Sequence, residues 1–278
     1  MRSERLVNIE FPKFVRVRIL AHIRLLLSCF CFATLCYQPL CGQQLVDDFS
    51  VPSAAVPGWT IGGTGPTANV PAAQYLQING GGADGADWAS RNVAAYYDVQ
   101  LSNNTCQLTW SFNMYRSRTS PAGFLNGAAQ YGLGFILAGQ NADPTLGNGY
   151  AVVVGESGVN NNIVRLVRFN NGLDNNGNLT TIISGGSLTT HYASFRVTLD
   201  PVTGTWELFI DQNTTTGPFV NPTAAAVSLG SAVDNVYTGL SLPYIATYWN
   251  HSTVPFFARF DNIYVPDPCV AATPTVQF

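Results

Sequence analysis

Ser194–Asp211 reads SFRVTLDPVTGTWELFID. Phe195, Val197 and Leu199 take every second position on the way in, and Trp206, Leu208 and Ile210 do so on the way out. Between them, Asp200-Pro201-Val202-Thr203-Gly204 combines a carboxylate, a proline and a glycine, the chemistry of a tight reversal. A period of two sends successive side chains to opposite faces of an extended chain. The stretch is therefore a β-hairpin with one continuous apolar face.

The same pattern extends in both directions. In Gln107–Tyr115 (QLTWSFNMY), Leu108, Trp110, Phe112 and Met114 alternate with Gln107, Thr109, Ser111 and Asn113. This strand sets one face on a core and the other toward solvent or a groove, and it assigns Trp110, like Trp206, to the core. Tyr131–Leu137, Tyr150–Gly155 and Ile163–Phe169 follow as strands, the last with Arg165 and Arg168 on opposite faces. Tyr237–Leu242 and Phe256–Val265 are the last predicted strands. In the final one, alternation breaks between Phe260 and Ile263, which predicts a bulge and leaves its inward face open. Loops rich in Gly, Asn, Asp and Pro separate them at Gly62–Val70, Asn79–Ala86, Asn141–Gly149, Asn170–Asn178 and Gln212–Pro222. No capped helical spacing is present after the first forty residues, so the class is all-β, a sandwich or a closed barrel.

The first forty residues are of a different kind. Six of the chain's thirteen basic residues precede residue 25, and Leu25–Cys36 (LLLSCFCFATLC) is an apolar run of about a dozen residues followed by PLCGQQ. A cationic stretch, a short apolar core and small residues make a secretory signal over residues 1–42, cleaved near Gly42 or Gln43. The run is shorter than the ~20 residues of a membrane span. A second reading, lipid attachment at Cys29 in Leu26-Leu27-Ser28-Cys29, leaves too few apolar residues after Arg24 for a working signal. The expected location is therefore extracellular or at the cell surface.

Past the leader the chain carries seven arginines, no lysine and fourteen Asp and Glu, a net charge of −7. Such a surface repels a phosphate backbone, which argues against nucleic acid as a partner. Charged residues make up 10% of the chain, far below the ~25% usual for soluble domains. Of six cysteines only Cys106 and Cys269 lie beyond the leader. In an oxidising compartment they pair, or they stand as two unpaired buried thiols; the sequence leaves both open. Pro266–Phe278 (PDPCVAATPTVQF) reads as a linker, 267–278, or the start of a further module.

A group of short motifs resembles one family. Asp47-Asp48-Phe49-Ser50 with Gly58-Trp59, Gly132-Leu133-Gly134-Phe135, Asn148-Gly149-Tyr150, the hairpin above and Phe260-Asp261-Asn262-Ile263-Tyr264-Val265 together look like a concanavalin A-like lectin/glucanase (LamG-type) domain over residues 45–266, of the kind found in exported bacterial surface proteins. The resemblance implies a two-sheet antiparallel jelly-roll sandwich and, for many members, sugar binding or adhesion.

Candidate chemistry is sparse. Glycoside cleavage usually needs two carboxyls ~5–9.5 Å apart. Glu207 and Asp211 share a strand face but stand four residues apart, roughly 13 Å at ~3.3 Å per residue, and no Glu-x-Asp-x-x-Glu pattern occurs. His191 and His251 sit in no nucleophile motif. Asp143, Asp174 and Asn176 offer the hard oxygens that Ca²⁺ prefers, although Asn, Asp and Gly are also ordinary turn residues. Tyr244, Tyr248, Trp249 and Asn250, in the Pro-punctuated segment PYIATYWNH, are read as an exposed aromatic loop able to stack on sugar rings. The expectation is a non-catalytic secreted module binding a polysaccharide or cell-surface glycan, with Ca²⁺ as a candidate cofactor and further modules as neighbours. A structural spacer with no ligand is the alternative, and a glycoside hydrolase is the least favoured reading.

Overall fold

The computed structural model describes residues 42–65, 68–79, 84–117, 123–124, 131–156, 159–212, 217, 219–251 and 256–268. Residues 1–41, most of the expected signal segment 1–42, and the residues from Cys269 onward lie outside them. Among the described residues fifteen strands are formed: β1 (Gln43–Asp47), β2 (Thr60–Gly63), β3 (Ala68–Asn69), β4 (Leu76–Asn79), β5 (Gly85–Asn92), β6 (Leu108–Arg116), β7 (Gly132–Gly139) and β8 (Gly149–Glu156). They continue with β9 (Val159–Phe169), β10 (Leu179–Ser187), β11 (Tyr192–Asp200), β12 (Thr205–Gln212), β13 (Val227–Val233), β14 (Tyr244–His251) and β15 (Phe257–Pro266). An eight-stranded sheet runs β13-β12-β11-β6-β15-β4-β3 with β1 also on β15, and a seven-stranded sheet runs β10-β9-β8-β7-β14-β5-β2. Every strand pair is antiparallel. The molecule is a two-sheet antiparallel sandwich. Among the described residues no helix is long and apolar enough to cross a membrane.

The expected hairpin forms β11 and β12 in the register that alternation requires, with Phe195 opposite Ile210, Val197 opposite Leu208 and Leu199 opposite Trp206. Its turn is held by Asp200: Oδ1 accepts from the Val202 N–H at 2.9 Å and the carbonyl accepts from Gly204 N–H at 2.8 Å. Gly204 sits at φ 69°, the left-handed region that glycine enters without steric cost. The final strand bulges between Asp261 and Tyr264 against β6, and Asn262 takes φ 49° there. The broken alternation is thus a real insertion in the ladder.

The two sheets meet through large rings. Phe112 of β6 stacks on Phe135 of β7 at 4.0 Å, and Tyr150 of β8 lies 4.6 Å from Trp206 of β12, which in turn stacks on Trp110. Trp110 and Trp206 are fully buried, as alternation assigned them. Beside this stack Asp234 joins the layers. Its Oδ1 accepts from the Tyr150 hydroxyl at 3.0 Å and the Val236 N–H, its Oδ2 binds Arg168 of β9, and its carbonyl accepts from Trp206 Nε1 at 2.8 Å. The opening motif has a similar logic: the Asp47 carboxylate accepts from Phe49 N–H, Trp59 Nε1 and Arg91 Nη1, tying the N-terminal strand to β5.

Two secondary-structure expectations need correction. Tyr237–Leu242 is a turn, closed by a Leu240 N–H to Tyr237 carbonyl bond, with only an isolated bridge from Ser241 to Gln100. The strand comes next, at β14, where an exposed loop was expected. Alternation missed it because β14 is covered on both faces. A second apolar cluster, containing Trp88, Phe124, Ile136, Val153, Val167, Leu173 and Tyr248, caps the outer face of the seven-stranded sheet. A strand buried on both sides shows no polar register.

Removing the Asp234 side chain leaves a buried tyrosine hydroxyl and a partly buried guanidinium without acceptor. Asp234→Ala is expected to lower unfolding free energy on the order of 3 kcal/mol in urea titration, with the m-value unchanged.

Candidate functional site

With the outer face of the seven-stranded sheet capped, the polar register of the other sheet is the face left for a ligand. Leu108, Trp110, Phe112 and Met114 of β6 point inward, as do Ala258 and Phe260 of β15 and Leu76 and Ile78 of β4. Their neighbours therefore point out: Ser111, Asn113 and Tyr115 from β6, Phe257, Arg259 and Asp261 from β15, and Gln77 and Asn79 from β4. The segment around residues 219–225 crosses the middle of this face. Asn113 Nδ2 donates to the Val220 carbonyl and Arg196 Nε to the Ala225 carbonyl, both at 2.9 Å, while Ser194 Oγ donates to Asn113 Oδ1.

Beside that strap, whose Phe219 ring meets Tyr192 edge-on at 5.1 Å, lies a group of half-buried rings around one cation, where β6 ends and β11 and β15 begin. The Arg259 guanidinium carbon lies 4.3 Å from the centre of the Tyr75 ring, 4.5 Å from Phe257 and 4.9 Å from Tyr115. Tyr115 and Tyr192 rings are 4.3 Å apart. Arg259 Nε donates to Gln77 Oε1 at 3.0 Å and Nη1 reaches the Tyr192 hydroxyl at 3.5 Å. Gln77 Nε2 donates to Asn79 Oδ1 at 2.7 Å. Burial, and then the neighbouring Tyr192, raise the Tyr115 phenol above its ordinary value despite Arg259, so it serves as a neutral hydrogen-bonding group at neutral pH. Rings offering apolar faces beside amides and a guanidinium make a recognition surface for a ligand with both C–H faces and hydroxyls. Tyr115 continues the Gln107-to-Asn113 polar register, so that register marks one ring of the group. The others were hidden, because the bulge left the orientation of β15 open and β4 is only four residues long.

The residues expected to bind glycan are elsewhere. Tyr248, Trp249 and Asn250 are fully buried in β14, and Tyr244 is half-buried at its start. Tyr248 stacks on Phe124 on the outer side; Trp249 faces the core, 5.7 Å from Tyr131; Asn250 Nδ2 donates to the Gly123 carbonyl. Tyr248 and Asn250 hold the cap on the seven-stranded sheet, and neither Tyr248 nor Trp249 presents its ring to solvent. At the end of β14, His251 Nε2 lies 3.0 Å from Asp87 Oδ2, both buried.

Of the expected calcium ligands, two share an electrostatic neighbour. The Asp143 and Asp174 carboxylates both act on the buried Tyr248 phenol, whose pKa burial raises first and these charges raise further. Asn176 Oδ1 accepts from Arg165 Nη2 at 3.0 Å, so this oxygen already has a cationic partner. Asp143 Oδ1 already accepts from the Thr145 N–H and hydroxyl. Among the described residues no three His, Cys, Asp or Glu are grouped to hold a metal ion. Cys106 is disulfide-bonded; Cys269, its expected partner, lies outside the described residues.

Glu207 and Asp211 point outward from β12, where Glu207 accepts from the Thr198 hydroxyl and Asp211 is exposed.

No protein-family model and no curated protein matches the chain. Solved structures do. The VIP36 exoplasmic/lumenal domain in its Ca²⁺/Man2-bound form has a TM-score of 0.52 at 9% identity, covering 83% of this chain and 89% of that one. Lectin I from Ulex europaeus, bound to the methyl glycoside of α-L-fucose, gives 0.51 at 14% identity, covering 82% and 98%. Winged bean acidic lectin with methyl-α-D-galactose gives 0.51 at 10% identity, covering 81% and 99%. Identities this low show the fold alone. The chain adopts the concanavalin A-like jelly-roll sandwich.

Asp261, on the face that carries Arg259, generates a pH prediction. Burial first, and then Asp48 and Asp47, push its carboxyl up to about 7, against a hydrogen bond from Asn262. A folded pKa above the ~3.9 of an unfolded aspartate means stability is lost as pH rises from about 4 to about 7. In thermal melts Asp261→Asn should therefore gain on wild type progressively over that interval, with a constant difference above pH 8. A difference that does not vary with pH contradicts the assignment.

Proposed function

We propose that this protein is a secreted, non-catalytic glycan-binding module, and that its binding platform is the ring cluster around Arg259 on the eight-stranded sheet. The observation that carries the reading is the grouping of Tyr75, Tyr115, Tyr192 and Phe257 about one guanidinium, with Gln77 and Asn79 at its border. Ring faces stack on the C–H faces of a pyranose, and amides and phenols orient its hydroxyls. The sugars bound by the lectins of like fold support a glycan as the ligand class. Adhesion at a cell surface is the role such a platform would serve in an exported protein.

A spacer role without ligand is the second reading. It is favoured by the capped face of the seven-stranded sheet, where Gly123–Phe124 and the segment around Leu173 exclude a ligand. A hydrolase is disfavoured by the outward, separated Glu207 and Asp211, which lack the ~5–9.5 Å pairing of glycosidase carboxyls.

A glycan array probed with the purified protein separates the two readings. Binding that falls at least tenfold in Tyr115→Ala and Tyr192→Ala, with melting temperature within a few degrees of wild type, is the expected result. Binding that survives both substitutions removes the platform, and silence from a folded sample establishes the spacer.

Calcium is proposed at Asp143 and Asp174, in place of the three-residue set. The melting temperature should then rise with Ca²⁺ in the millimolar range, and Asp174→Asn should abolish the rise. Equal melting in Ca²⁺ and in EDTA would refute it.

A further inference from the structure

We propose that the glycan taken by this platform is acidic, a chain containing hexuronate residues, with Arg259 binding the sugar carboxylate; this rests on the platform reading above. The ground is an imbalance of charge. Arg91 pairs with Asp47 and Arg168 with Asp234. Arg165 and Arg196 are each influenced by a glutamate, Glu156 and Glu207 respectively. Arg116 has no acidic partner among the described residues but points into the interior, where it is 1% exposed.

Arg259 is different: it is partly buried, outward-facing, and has no acidic partner among the described residues. Its neighbours are the Gln77 amide, the Tyr192 hydroxyl and three ring faces. Asp261, the carboxyl two positions along the same face, accepts from Asn262 instead.

The rings and the amide hold the guanidinium plane in place, since Nε is committed to Gln77 and Nη1 to Tyr192. No hydrogen bond engages Nη2 among the described residues. A guanidinium fixed in this way is pre-organised for an anion, and a carboxylate matches its planar fork.

The adjoining rings narrow the choice of anion. They ask for a flat C–H face within one sugar's breadth of the charge. A hexuronate supplies both, because its carboxylate is attached directly to the pyranose ring.

The net charge of −7 past the leader does not oppose this, because charges beyond ~8 Å are largely screened at physiological salt. Contact chemistry at Arg259 decides the selection.

The test is calorimetric titration of the full purified protein, at constant ionic strength, with oligogalacturonates and oligomannuronates and with the methyl ester of each. Esterification removes the charge and leaves the ring and linkage intact. The free acid of at least one series should bind on the order of tenfold more tightly than its ester. Arg259→Met, which keeps an apolar stem between the rings, should erase that preference while the melting temperature stays near wild type. Should the methionine variant fold poorly, Arg259→Lys keeps the charge without the fork and should retain only part of the preference.

Equal affinity for acid and ester, a preference that survives in Arg259→Met, or binding confined to sulfated glycans overturns the acidic-sugar inference. Neutral glycans bound in a Tyr115-dependent way, with no acid preference, leave the platform standing and remove only the carboxylate. If no acidic, esterified or neutral glycan binds, both readings fall.

Discussion

Phe112 lies against Phe135 of the opposite sheet at 4.0 Å and against Phe195 of its own sheet at 5.5 Å, and most of the architecture depends on contacts of this kind. Each sheet has an apolar face that water penalises at about 25 cal/mol per Å². Neither face can be buried except by the other. Once the rings of β6, β11 and β12 interdigitate with those of β7 and β8, the register of every strand in both layers is set. A slip of one residue would turn Trp110, Phe112 and Met114 out to solvent.

That constraint also determines where a ligand can go. The seven-stranded sheet is apolar on its second face as well, and Phe124, Leu173 and Tyr248 meet there to close it. The eight-stranded sheet keeps a polar second face, partly strapped by the segment around residues 219–225, with Arg259 among tyrosines at one end. The two sheets of one sandwich thus differ: the second face of one is apolar and closed, and that of the other is polar. Polar clasps add to the closure of the sandwich. Asp234 between the layers and His251 against Asp87 at the end of β14 satisfy groups that would otherwise be stranded in an apolar setting.

The parts of the sequence that were legible share a physical feature. QLTWSFNMY and the Ser194–Asp211 hairpin each have one dry face and one wet or polar face, so their alternation is visible. PYIATYWNH has two dry faces, its Tyr248 and Trp249 lie on opposite sides of β14, and nothing local distinguishes it from an aromatic loop. The expected glycan contacts were misplaced for that reason. The partner of Asn176 was hidden for a different one: its bond is to Arg165, a residue eleven positions away on β9. Turn composition carries no information about such a partner.

By itself, the sequence determined the all-β class, the paired layers, the hairpin, the core tryptophans and the final bulge, because each follows from side-chain period and turn chemistry over fewer than twenty residues. Only the tertiary structure decided which sheet has a polar second face, and that Tyr75, Tyr115, Tyr192 and Phe257 converge on Arg259. Those residues come from segments as many as 184 positions apart. Their meeting is fixed by strand order in the sheet, a long-range property to which local alternation is blind.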